Sequence, residues 1–183
     1  MRRLALAVLC AAAPAWADDA PLLLPTRDVD VTYRSGAGSQ AIEQRYRFRA
    51  ADQKLRLDTP TPGLYMIVDQ RAHTMAMVSD ADRGVVDMKL QGGAGPGGFN
   101  PGQRFIRGAA EIVAGLNCTE WQTVDSQGHE AVACFTADGV LLRARRGAAV
   151  LAEARRVTYG PLDPALFVVP PSYNHVAAPE PRR

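Results

Sequence analysis

Four methionines carry the most telling chemistry in the chain. Met66, Met75, Met77 and Met88 fall in three consecutive apolar runs. Unbranched thioethers adapt to irregular apolar shapes, so a Met-rich surface suits a lipid or another hydrophobic ligand, while ordinary core filling is the plainer role for the same residues. Met75 and Met77 are two apart and share a face of any strand that holds them. His73 stands two residues before Met75, so a strand spanning all three would present an imidazole and two thioethers together. That is a soft ligand set of the kind that suits Cu(I), and it defines an alternative metal site at His73, Met75 and Met77. No other cofactor is expected.

Cys118 and Cys134 flank the turn Asp125-Ser126-Gln127-Gly128-His129. If that turn closes near Ser126, the two thiols face one another across an antiparallel ladder, and a disulfide follows. The remaining constellations are weaker. Asp80, Asp82 and Gly84 resemble the start of a calcium loop, but Gln91 stands where a bidentate Glu is needed. The stretch 91–102 is rich in glycine yet lacks the Gly-Lys-Ser/Thr ending of a phosphate loop, which leaves a surface loop, with 92–102 a candidate gate over a ligand. Three histidines, His73, His129 and His175, stand far apart, with neither a Gly-x-Ser-x-Gly elbow nor a His-Glu-x-x-His pair. The expectation is a non-catalytic protein, with an envelope structural or interaction protein that holds no small ligand as a further alternative.

The elements that must position these residues begin after a leader. Arg2 and Arg3, the apolar run Leu4 to Ala13, and Ala15-Trp16-Ala17 form the pattern of a cleaved secretory signal over 1–17. The apolar run is shorter than the roughly 20 residues a membrane span requires, so no transmembrane segment is expected in the mature chain. Cleavage discards Cys10, leaving an even pair of cysteines, and takes the 21 basic and 19 acidic side chains to parity. A chain of no net charge gives bulk electrostatics no hold on nucleic acid. The expected location is the periplasm, where a structural disulfide persists.

Beyond a flexible lead-in at 18–25, period-two alternation marks strands over 28–33, 41–49 and 54–58. Ile42, Gln44, Tyr46 and Phe48 lie on one face, Glu43, Arg45, Arg47 and Arg49 on the other. Three more apolar runs, 64–68, 73–78 and 85–90, are joined by connections of hairpin length and form a meander. Ala109 to Ala114 predicts a short helical turn ended by Gly115. After the cysteine hairpin come strands over 140–145 and 149–159, with Asp163-Pro164 capping a brief helical turn. Arg143 and Arg145 predict a solvated stripe. Residues 172–183 predict a loose tail. About ten short strands without a second domain imply one antiparallel sheet over 26–171, curled into a barrel or half-barrel.

The order Gly63-Leu64-Tyr65-Met66-Ile67-Val68-Asp69, Met75-Ala76-Met77-Val78, Val113-Ala114-Gly115-Leu116-Asn117-Cys118-Thr119-Glu120-Trp121, Cys134 and Asp138-Gly139-Val140-Leu141-Leu142-Arg143 resembles a family of exported bacterial proteins of unassigned function. That family looks like a relative of the LolA-type lipoprotein carriers and the LppX-like lipid-binding proteins. The resemblance implies a mainly β fold: a single strongly curved antiparallel sheet forming an incomplete, half β-barrel with one or two short helices. It also implies a lipid or lipoprotein as partner, held on the concave face.

Overall fold

The computed structural model describes residues 20–36, 40–90, 98–100, 102–124 and 128–177. The leader 1–17, most of the gate 92–102, the turn tip 125–127 and the last six residues lie outside them. The described residues form one 12-stranded sheet in the order β12-β6-β5-β4-β3-β2-β1-β11-β10-β9-β8-β7, open at both edges. Its first wing is β1 (Val29–Ser35), β2 (Ile42–Arg49), β3 (Lys54–Asp58), β4 (Leu64–Asp69), β5 (Thr74–Ser79) and β6 (Gly84–Lys89). Its second is β7 (Ile106–Val113), β8 (Leu116–Val124), β9 (Glu130–Phe135), β10 (Leu141–Arg146) and β11 (Ala149–Tyr159). Each wing is an antiparallel meander. They join where β1 pairs with β11, Val29 opposite Tyr159. A 3-10 turn over Pro164–Phe167 follows, opened by Asp163, whose carboxylate accepts from the Ala165 N–H.

The expected single curved sheet is what forms, and 149–159 is the strand expected there. Two expectations are overturned. Ala109 to Ala114 is not helical but belongs to edge strand β7 and the turn that ends it. Helix propensity is a weak prior, and here the chain reverses within two residues, Ala114 at φ 51° and Gly115 at φ 77°, the left-handed pair that a tight hairpin turn needs. Gly115, a plausible helix terminator, instead lets Val113 pair with Leu116. The tail beginning at 172 is not loose throughout, because Asn174–Ala177 forms β12, running parallel to β6. Four residues show too little alternation to announce a strand, and the partner that orders them lies about 90 residues away.

Curvature comes from bulges. The ladders β1–β11, β10–β11 and β9–β10 each slip by a residue, after Thr32, Ala144 and Leu141, and each slip bends its strand and adds twist. The Tyr33 hydroxyl donates to the Leu141 carbonyl at 2.5 Å, reaching from β1 over β11 to β10. Strands two apart in a flat sheet stand about 10 Å from one another, so this bond holds the Tyr33 face concave. Burial pushes the Tyr33 phenol well above its ordinary pKa, with further push from Tyr46 and Tyr159, so it stays a neutral donor.

Candidate ligand site

Residues that pair across an antiparallel ladder share a face, so register alone traces the concave surface. One row runs Val31, Tyr46, Leu57, Met66, Met77, Val86 and Val176, each opposite the next across seven strands. A second runs Val29, Phe48, Leu55, Val68, Met75 and Met88. All four methionines therefore lie on one face, Met66 beside Met77 and Met75 beside Met88. The inner ends of the rows are sealed. Outward they open: Met77 is 38 % exposed and Val176 58 %. Met75 packs against the core that contains Leu55 and Val68.

The inner end lies beneath the second wing and beneath residues 22–25. The expected flexible lead-in is anchored there, Leu24 against the core of β1 to β3 and Leu23 against the cluster of Phe99, Trp121 and Phe135. Between these surfaces remains a cavity of about 40 Å³ lined by Leu23, Leu24, Tyr33, Tyr46, Phe48 and Phe99, among others. None of the four methionines lines it. A water-sized probe fits such a space, but it is far below the roughly 300 Å³ at which drug-sized pockets begin.

At its rim the Asp138 carboxylate accepts from Thr136 at 2.5 Å, Arg27 at 2.7 Å and Tyr159 at 3.2 Å, and Arg27 lies 3.7 Å over the Tyr159 ring. Burial by itself would raise the Asp138 pKa. The hydrogen bonds from Thr136, Arg27 and Tyr159 outweigh it and hold the group below its ordinary 3.8. A depressed carboxylate contributes stability that is present above the unfolded value and lost as the pH falls through the folded one. Asp138→Asn should therefore cost about 1 kcal/mol at pH 7, and the gap to the native chain should close below about pH 4. Paired urea titrations at pH 7 and pH 3 check this, and a gap that persists at pH 3 would contradict it.

The convex face carries ion pairs on β2 and β3 and a covered apolar patch on β4 to β6. Arg47 and Arg56 both pair with Asp58, and Arg45 grips Asp30. Burial first, then the nearby Arg45 and Arg56 charges, lower the Arg47 pKa. Arg56 also donates to the Leu166 carbonyl, fastening the 3-10 turn to the sheet, and Val169 and Tyr173 cover Tyr65, Ile67, Val78 and Val85. The Arg143 and Arg145 stripe is an ion-pair network with Glu111 and Glu120.

His73 does not stand on β5 with Met75 and Met77. It occupies the preceding turn at φ 53°, as Gln53 and Arg83 do in the turns before β3 and β6. The alternation that would align its ring with the two thioethers stops at Thr74. Asp80 and Asp82 are likewise turn residues, accepting from Tyr173 and Ser79. Among the described residues, no three His, Cys, Asp or Glu side chains converge as metal ligands, and no helix is long and apolar enough to cross a membrane.

The disulfide is present, Cys118 to Cys134, with Cα atoms 5.5 Å apart. The register differs from expectation, because Cys134 lies opposite Glu120, two positions beyond Cys118. A shift of two preserves the face, so the sulfurs still meet, diagonally.

No family model matches the chain, and no curated protein does. Among solved structures it is similar to an uncharacterized conserved protein from Thermus thermophilus, with a TM-score of 0.59 and 14 % identity over 84 % of this chain and 91 % of that one. It is also similar to PNGF-II, with a TM-score of 0.56 and 14 % identity over 84 % of this chain and 31 % of that one. At such identity the likeness is one of fold.

Proposed function

We propose that the protein is an exported, non-catalytic binding protein that holds a hydrophobic ligand, a lipid or the acyl moiety of a lipoprotein, on its concave face. One observation carries the reading: an unbroken apolar row passes from the sealed end at Val31 to the open end at Met77 and Val176. Half-exposed thioethers along this row suit chains of varied shape. The Cys118–Cys134 bridge is compatible with an oxidising compartment such as the periplasm, and the resemblance to lipoprotein carriers points the same way.

The test is a native mass spectrum of protein purified from a bacterial periplasm without detergent, with a solvent extract run beside it. A co-purifying lipid is the expected result. Met77→Asp combined with Val176→Asp should abolish its retention, because a carboxylate on the row must be desolvated by a bound chain. Both residues are largely outside the core, so the fold should survive. Met75→Asp would confound binding with stability. Lipid content unchanged in the double variant would rule this face out.

A further inference from the structure

We infer that the ligand is a single long unbranched acyl chain and that Leu22–Pro25 is a displaceable strap, with Leu23 and Leu24 holding the place of the chain's inner end. This rests on the reading that the concave face binds a hydrophobic molecule.

The shape of the surface selects the ligand. The row from Val31 to Val176 crosses seven strands, six spacings of about 4.8 Å or roughly 29 Å in all, while along the strands the apolar face is only two or three residues deep, Val29 to Tyr33 on β1 and Leu64 to Val68 on β4. A compact fused-ring ligand would cover a fraction of it. An extended chain lying across the strands meets every member in turn. Its inner end, however, has no room, since the remaining cavity is about 40 Å³.

Beside the second wing, what covers that space is the strap. It runs over the sheet without joining it as a strand. Its polar fastenings sit at its C-terminal end: the Thr26 N–H donates to the Asp138 carbonyl at 3.0 Å, Arg27 pairs with Asp138, and Asp28 accepts from the Ala50 and Leu162 N–H groups. Upstream, Leu23 and Leu24 contribute apolar packing. An acyl chain offers the vacated walls the same kind of contact. Exchange therefore replaces apolar burial by apolar burial, with the Arg27–Asp138 pair released along with the strap and Asp28, held by Ala50 and Leu162, serving as the hinge.

The apparent dissociation constant of a site open only part of the time is its intrinsic value divided by the open fraction. Weakening the strap must tighten binding without touching the walls. The probe is cis-parinaric acid, a fluorescent long-chain fatty acid, titrated into the full mature chain while hydrogen exchange is read at residues 22–27. Saturation should speed exchange across the strap at least tenfold. Leu23→Ala with Leu24→Ala should tighten binding by about tenfold in the same linkage, and Asp138→Asn, which weakens only the Arg27 fastening released on opening and keeps the packing, by about threefold. Should the leucine variant fail to fold, the Asp138→Asn titration and the exchange data on the native chain decide. Parinaric acid bound with strap exchange unchanged, or bound no tighter by the strap variants, overturns the strap and leaves the concave-face reading standing. No binding by native chain or variants overturns both.

Discussion

Replacing Cys118 and Cys134 together by alanine should lower the free energy of unfolding by about 3 kcal/mol, the chain-entropy value for a closed loop of this length. The cross-link spans 16 residues and ties β8 to β9 in the wing that carries the open edge strand β7. Both cysteines are almost wholly buried, at 4 % and 1 % exposure, so truncation also leaves a small void. For a chain of this size the melting temperature should fall by roughly 6 to 12 °C. Trp121, buried on β8, reports the transition by fluorescence in urea. A loss well under 1 kcal/mol would mean that the hairpin persists in the unfolded ensemble, so that the bridge constrains little that is free.

Gly139→Ala should cost a similar amount, about 3 kcal/mol, for a different reason: a strained turn or a lifted strap. Gly139 turns β9 into β10 with φ at +89°, and a Cβ there would stand 2.3 Å from the Leu24 carbonyl oxygen and 2.8 Å from its carbon. Backbone atoms cannot rotate away as a side-chain tip can. Either the turn re-forms, at the roughly 1–3 kcal/mol of a strained backbone position, or the strap lifts and surrenders the partial burial of Leu23 and Leu24, about half of the roughly 1.5–3 kcal/mol that full burial of each would give. Gly147→Ala is the control, since φ there is +56° and nothing lies within 4 Å of the added carbon. It should cost about 1 kcal/mol, for the left-handed backbone alone. Thermal melts of the two variants separate collision from conformation. Equal losses would show that the strap does not press on this turn.

The disulfide and the glycine show how unevenly the sequence disclosed the molecule. Two cysteines spaced about a turn are visible in one dimension, and their pairing followed even though the register was two residues off, because a slip of two keeps both sulfurs on one face. Nothing around Asp138-Gly139 announces that Leu24 will lie against it, because that contact joins segments more than 110 residues apart. The lead-in at 18–25 read as flexible for the same reason. Its leucines have no local partner, and the walls that bury them come from β1 to β3 and β9 to β10.

By itself the sequence determined what is local: alternation of period two set the strands and sorted Tyr46 and Phe48 from Arg45 and Arg47, and Asp163-Pro164 opened its turn where capping chemistry requires. It also named the four methionines, though as members of separate strands. Tertiary structure decided everything that depends on register between strands. It alone aligned Met66 with Met77 and Val86 with Val176, recruited β12 to the edge, drew Ala109 to Ala114 into the β7 hairpin, and left His73 in the turn before β5. Alternation is a property of one strand's backbone and is written in its residues. Register is a property of two strands, chosen by turns, bulges and burial together, and no single strand contains it.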